Sequence, residues 1–341
     1  MKSAQKILIV CPGARSPFVR SDAAILSKQY PTEILGVDTL PFPRKFVLLF
    51  RLLSLLLKGE VLMVLLYFSV PAYAPFVVTL AKLFGTKVVV ITGGYDTTYV
   101  PVIDWGEMKN LWKRIAQRYA LAMVDLVLCF SEFSKSDVLK YSKPKRVEAL
   151  YFGIDTDYFK PDGSKEPLVI TVCFQVNEST LIQKGLRTMI ESARSIPEAQ
   201  FVLIGETKDD AGVTEARRTA PSNVRFHDKF TYGKELLQFY QRATVYVQAS
   251  AHEGFGIANT EAMSCECVPV VTNTTALPEV VGDAGFFVPF ADVTATVEAI
   301  KRALKSPDLG KKARARIIEN FTSAKHEQTL LAYVRSVIGQ S

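Results

Sequence analysis

Two glutamates, Glu253 and Glu261, stand eight positions apart around the turn Gly254-Phe255-Gly256. The segment follows an apolar run at 244–248 and enters a helical pattern near Ala258. Gly254 and Gly256 let the backbone come close to a ligand, and the amides that open a helix, together with its dipole, favour an anion such as a diphosphate. Glu261, about a turn inside the helix, is placed to accept hydrogen bonds from a ribose diol. Glu253, at the strand end, is placed to bind a sugar hydroxyl. On these residues alone, a plain strand–turn–helix junction with two surface glutamates fits as well.

The elements that must position these groups follow one rhythm. Short apolar runs at 6–10, 33–37, 61–66, 87–92, 124–130 and 146–151 predict strands, with helices expected over 45–57, 73–84, 107–123 and 134–141. The second half repeats the pattern with runs at 168–174, 200–204, 224–227, 244–248, 268–271 and 286–288. Such alternation implies right-handed βαβ units and parallel sheets covered on both faces. Two series in 341 residues predict two Rossmann-like domains, over 1–155 and 160–322, joined where polar residues, Gly and Pro replace the apolar runs at 155–167. The last helix, about 323–341, is expected to return to the first domain. Ligands of open α/β sheets bind beyond the carboxyl ends of the strands, so a cleft between the domains is the expected site.

Composition narrows the function classes. Hydrophobic residues make up 48% and charged residues 22%, which fits a folded globular chain and excludes a disordered one. Five scattered cysteines form no Cys-x-x-Cys, and Cys265-x-Cys267 has no nearby His to complete a zinc set. The uncharged stretch 61–81 is long enough to span a bilayer, but Pro71 and Pro75 interrupt it, and it reads better as a strand followed by a helix. The apolar run at 7–10 is too short for the core of a signal peptide, so none is expected there. A cytoplasmic protein is expected. No basic–aromatic module or recognition-helix pattern supports a nucleic-acid partner.

The wider context of the glycine turn resembles the signature of retaining glycosyltransferases of family 4. The likeness runs through Glu261-Ala262-Met263-Ser264-Cys265-Glu266-Cys267-Val268-Pro269 and Leu277-Pro278-Glu279-Val280-Val281-Gly282. Lys184-Gly185-Leu186 is similar to that family's Lys-Gly helix start, and the segment from Gly153 to Pro161 to its interdomain linker. Residues 120–338 carry the likeness; the first 120 match in rhythm. The resemblance implies a GT-B fold, two Rossmann-like domains facing a central cleft, and transfer of a sugar from a nucleotide-diphosphate sugar with retention and without a metal or other cofactor. It further implies that Lys184 contacts the diphosphate, Glu261 the ribose and Glu253 the donor sugar, with the amides from Phe255 through Gly256 and Ile257 to Ala258 facing the phosphates.

Three positions depart from that family's pattern. Its first strand of the second domain usually ends in an Arg that shares the diphosphate with the Lys, whereas Val172-Cys173-Phe174-Gln175-Val176 holds none. Losing one charge-assisted contact to a buried diphosphate costs on the order of 2 kcal/mol. Arg187, one turn after Lys184, is the candidate substitute. Where many relatives carry His-Asp, this chain reads Thr92-Gly93-Gly94-Tyr95-Asp96, so Asp96 is the candidate for catalytic or acceptor contact, with a turn cap as the alternative. Phe152 stands where the linker motif commonly has Asn. These departures keep open a catalytically weak or inactive nucleotide-sugar binder; a nucleotide-sugar epimerase of the same fold is the other alternative. Asp155-x-Asp157 imitates a metal-binding pair but lies in the linker motif, where it reads as a turn. After the first strand, Gly13 could admit the diphosphate to the backbone and Arg15 could bind donor or acceptor.

Charge is divided unevenly. Residues 1–160 hold 21 Lys and Arg against 13 Asp and Glu, while the rest holds 20 against 21. In the helical stretch 44–58, Arg44, Arg51 and Lys58 recur every seven residues and form one narrow polar stripe amid Leu, Phe and Val. Such a helix is either covered by neighbouring loops or touches lipid. With Lys109, Lys113, Arg114, Arg118 and Trp112 adding to the basic surface, the first domain is expected to hold a glycan or lipid-linked acceptor, and peripheral contact with an anionic membrane surface stands as the alternative to burial of the 44–58 helix under neighbouring loops.

Overall fold

The computed structural model describes residues 5–13, 16–36, 42–229 and 233–339, and over 42–48 the backbone only. Runs such as VLMVLLY at 61–67 are apolar on both faces, as a strand covered by helices on each side of a parallel sheet must be. The first sheet is built from β1 (Lys6–Cys11), β2 (Thr32–Gly36), β3 (Val61–Tyr67), β4 (Lys87–Thr92), β5 (Leu126–Cys129) and β6 (Val147–Ala149). Its helices are α1 (Pro17–Ser27), α2 (Phe42–Leu57), α3 (Ala74–Leu83), α4 (Leu111–Met123) and α5 (Glu132–Tyr141). All pairings are parallel, in the order β2-β1-β3-β4-β5-β6.

The helix expected over 107–123 is shorter than its periodicity suggests. Asn110 Oδ1 accepts from the amides of Trp112 and Lys113, at 3.0 and 3.2 Å, and so starts α4 at Leu111. Glu107–Lys109 forms a separate 3-10 turn.

The second sheet comprises β7 (Glu166–Val176), β8 (Gln200–Thr207), β9 (Val224–His227), β10 (Ala243–Gln248), β11 (Val268–Thr272) and β12 (Phe286–Val288). Around it lie α6 (Glu178–Gln183), α7 (Leu186–Ser192), α8 (Ala211–Thr219), α9 (Lys234–Arg242), α10 (Ile257–Ser264), α11 (Leu277–Val281), α12 (Val293–Leu304) and α13 (Asp308–Asn320). It too is wholly parallel, in the order β12-β11-β10-β7-β8-β9. Counted from β7 as the first strand, that is the doubly wound 3-2-1-4-5-6 order read from the other edge. The strand order reverses between β7 and β10, and in such sheets ligands bind at that reversal.

The chain forms two compact units, 1–151 with 324–341 and 152–323. The polar segment after Tyr151 belongs to the second unit, because Phe152 packs its ring on Phe255 and Ile154 bridges Thr322. The final helix, α14 (Ser323–Ile338), lies with the first unit and buries Leu330, Leu331, Val334 and Val337. His326 on α14 bridges two groups: Nδ1 donates to the Tyr151 carbonyl at 2.6 Å, and Nε2 faces Asp22 Oδ1 at 2.7 Å. The Tyr67 hydroxyl donates to the other oxygen of Asp22. Burial pulls the His326 imidazole down, but the Asp22 carboxylate outweighs it and holds the ring above its ordinary value. Among the described residues, no helix is long and apolar enough to cross a membrane.

Candidate functional site

β7 and β10 deliver the site residues at the strand reversal of the second unit. β10 is buried along its whole length, and the chain leaves it through Ala249 and Ser250 into the glycine turn. Gly256, at φ +93, is the N-cap of α10 and supplies no side-chain cap. Phe255 is buried and packs against Phe152 and Phe321, at ring separations of 5.5 and 5.4 Å. Its side chain anchors the turn inward, so what the turn presents is backbone. Phe152, the departure from the linker motif, is thus a support for the turn.

Beyond β7, α6 ends at Lys184 and the chain passes through Gly185 at φ +62 into α7. A Cβ on Gly185 would lie 2.0 Å from the carbonyl oxygen of Ala249, so only glycine admits this approach to the end of β10. The Ala251 amide donates to the Gln183 carbonyl at 2.8 Å, tying the two loops together. That backbone tie places Lys184 Nζ 2.8 Å from Glu253 Oε1, which also accepts from the Ser250 hydroxyl at 2.8 Å. The Gln248 amide donates to the same carboxylate. Burial pushes the Glu253 carboxyl up, but the Lys184 ammonium and the hydroxyl and amide donors outweigh it and hold it below the usual range. Lys184 is held above its ordinary value in return, its own partial burial overcome by Glu253. The pair is therefore fully ionised at neutral pH.

Glu261 lies buried on the first turns of α10, where its Oε2 accepts from the Tyr240 hydroxyl at 3.0 Å. Burial raises its carboxyl to about 7, with the Tyr240 hydrogen bond opposing. Tyr246 of β10 packs beside Tyr240, and its phenol is pushed well up by burial and by Glu253. Thus Lys184, Glu253, Glu261 and the glycine turn of Gly254 to Ala258 are brought together. Ser250, Gln248, Tyr240 and Tyr246 complete the cluster. Sequence reasoning missed these four; the first two flank the motif, but no spacing rule marks a residue that acts by supporting another.

Other expected site residues have different surroundings. Arg187 is turned toward α8, where its charge acts on Glu215 and its side chain lines a surface pocket with Arg194 and Thr219. Its Nε is buried with no hydrogen-bond partner among the described residues. The position of the missing arginine is occupied by Cys173, buried with its thiol donating to the Gln175 carbonyl at 3.0 Å, and by the exposed Phe174. Asp96 caps two loops: its oxygens accept from the Ser69 and Gly93 amides at 2.8 and 2.9 Å. Burial raises its carboxyl to about 6 against those amides. Each oxygen thus takes one amide, as in a turn cap. Gly13 follows β1 with no atom of the described residues within 4 Å of where a Cβ would stand, while Arg15 lies outside the described residues. Asp155 Oδ1 accepts from the amides of Asp157 and Tyr158, a turn.

Two parallel Rossmann-like units of this kind define the GT-B fold of glycosyltransferases. The chain is similar over 97% of its length to HepE of Anabaena in complex with UDP, with a TM-score of 0.78, 15% identity and 100% of that chain covered. It is also similar over 99% of its length to sucrose-phosphate synthase of Thermosynechococcus elongatus, with a TM-score of 0.75, 16% identity and 100% of that chain covered. Residues 175–323 match the family model described as glycosyl transferases group 1. Alpha-maltose-1-phosphate synthase of Mycolicibacterium smegmatis is 28% identical over 64% of this chain and 65% of its own length. O-antigen chain mannosyltransferase B of Escherichia coli is 27% identical over 63% of this chain and 61% of its own length. The match thus spans a little under two thirds of these curated relatives.

Proposed function

We propose that this chain transfers a sugar from a nucleotide-diphosphate sugar to a glycan or lipid-linked acceptor, with retention at the anomeric carbon and without a metal ion. The observation that carries the reading is the ionised Lys184–Glu253 pair beside the uncapped start of α10. In the reaction the bond from the anomeric carbon to the diphosphate breaks, and the nucleoside diphosphate leaves with the electron pair. The acceptor oxygen then bonds to the anomeric carbon on the same face, and its proton passes to the departing diphosphate. Charge develops on the diphosphate, and a preorganised cation and helix amides stabilise it there. Lys184 and the amides of Phe255 to Ala258 fill that role, Glu253 accepts from a donor-sugar hydroxyl, and Glu261 accepts from the ribose.

The names of the relatives suggest the first donors to test. One is a mannosyltransferase, another is named GDP-mannose:cellobiosyl-diphosphopolyprenol alpha-mannosyltransferase, and a structural neighbour is complexed with UDP. A thermal-shift panel of GDP-, UDP- and ADP-sugars should give stabilisation by one base class; no shift with any of them defeats the reading. Transfer that persists in EDTA, with the product anomer assigned by NMR, tests metal independence and retention. Stabilisation by a donor with no transfer to any lipid-linked or glycan acceptor would favour the binder alternative that the missing arginine keeps open.

A further inference from the structure

Helices α2, α3 and α4 of the first unit each turn an apolar stripe to solvent. On α2 it is Phe50 and Leu57, 68% and 67% exposed; on α3, Phe76 and Leu83, at 63% and 76%. On α4 the stripe recurs every four residues through Leu111, Ile115, Tyr119 and Met123, beside Trp112, which is 77% exposed. The three stripes meet in an apolar groove of about 600 Å³ that takes Leu53 from α2, Leu80 from α3 and Tyr119 from α4. Single exposed apolar residues are ordinary on protein surfaces, but a contiguous set shared by three neighbouring helices marks an interaction face.

Charge says what that face meets. Between residues 42 and 123 there are ten Lys and Arg against four Asp and Glu, so this segment carries +6 of the chain's +7. Arg118 lies seven residues beyond Leu111 and shares its side of α4, and Lys58 follows Leu57 at the end of α2; both are exposed. Exposed apolar rings with an indole among them, fringed by cations, suit the boundary between acyl chains and anionic headgroups. Arg51, Lys82 and Lys87 are paired with Glu33 and Asp125 from outside the segment, but the cationic excess that remains still disfavours setting one copy's face against another.

We propose that the outer face of α2, α3 and α4 docks on a bilayer surface carrying anionic lipid, with the groove accepting an acyl chain. The inference stands apart from the transferase reading, since it uses no residue of the second unit. The test is co-sedimentation of the full chain with phosphatidylcholine vesicles containing phosphatidylglycerol, and with phosphatidylcholine alone. Binding is expected to the anionic vesicles and to weaken on raising salt from about 0.1 M to about 0.5 M as headgroup attraction is screened. Phe76→Ser with Leu83→Ser should lower the bound fraction about tenfold, and Arg118→Glu should lower it on anionic vesicles only, with circular dichroism unchanged. A blue shift of indole emission on adding anionic vesicles, lost in Trp112→Phe, provides a readout on otherwise unaltered protein. No binding to either vesicle, equal binding by the variants, or a concentration-dependent dimer broken by the same substitutions would overturn the proposal.

Discussion

Glu261 and Lys184 have opposite electrostatic situations within one site. Glu261 has no cation and titrates near 7, so its neutral form is the one favoured by folding. Its contribution to stability is fully present below the ordinary value of 4.5 and is lost as pH rises through about 7. Glu261→Gln should therefore melt higher than the parent at about pH 8, by on the order of 1–3 kcal/mol, and no higher at about pH 4. Nucleotide-sugar affinity should move the other way, tightening for the parent as the pH rises through 7 and staying flat and weaker for the variant. Isothermal titration at several pH values measures it. Lys184, by contrast, keeps a buried carboxylate ionised. Lys184→Ala should cost about 1–3 kcal/mol by stranding Glu253, and lower kcat/KM about 100-fold or more if the cation acts on the diphosphate. Lys184→Met combined with Glu253→Gln should regain stability without regaining turnover. A double variant as unstable as the single would show that the pair is not what matters. The glutamates and the lysine were legible because their spacing sits in a recognisable motif. Their pairing was not, since 69 residues separate Lys184 from Glu253 and only the fold brings them together.

At the scale of elements, the second unit relies on two glycines whose positive φ angles set the joints of the site. Gly256 opens α10 without a side-chain cap, and Gly185 lets the α6–α7 joint press against the end of β10. Gly185→Ala would drive a Cβ into the Ala249 carbonyl oxygen at 2.0 Å, so either the joint moves or β10 does. A loss of about 3 kcal/mol or more is expected, with donor affinity falling together with stability. Urea titration and a donor thermal shift on the same sample check both. Gly13→Ala, where no atom of the described residues stands within 4 Å of the added methyl, is the control that should leave stability nearly unchanged. Every strand foreseen from the apolar runs is present, because parallel strands covered on both faces must be continuously apolar and hence stand out. The ends were less legible. β7 runs to Val176 past Cys173 and Phe174, and the start of α4 depends on a single Asn110 cap inside an otherwise helical pattern. Arg187 shows the same limit: one turn from Lys184 in sequence, it has Glu215, Arg194 and Thr219 as neighbours that no spacing foretold.

For the whole molecule, the contact that matters most is the return of α14 to the first unit. His326 donates to the Tyr151 carbonyl and faces Asp22, so its protonated form is the one the fold prefers. That stabilisation is complete below the ordinary value of 6.5 and fades as pH rises through the higher folded value. His326→Gln should destabilise the fold in acid by about 1–2 kcal/mol, read as a lower melting temperature, and flatten the decline expected in the parent above neutrality. Scanning calorimetry across that range is the measurement; a parallel pH dependence in parent and variant would refute the assignment. The basic excess of the first half was visible as a count, but its meaning required knowing that three helices lie side by side. The sequence alone could not say which of their apolar faces the core would leave uncovered.

The division into 1–151 with 324–341 and 152–323 also fixes an order of events during synthesis. The second unit is continuous, so its sheet can close as soon as residue 323 has emerged from the ribosome. The first unit, though made earlier, must wait with the places for Leu330, Leu331, Val334 and Val337 unfilled. A nascent chain therefore carries a finished second unit and an unfinished first one until α14 arrives. A product ending at Ser323 would fail at the opposite end of the sequence from the cut.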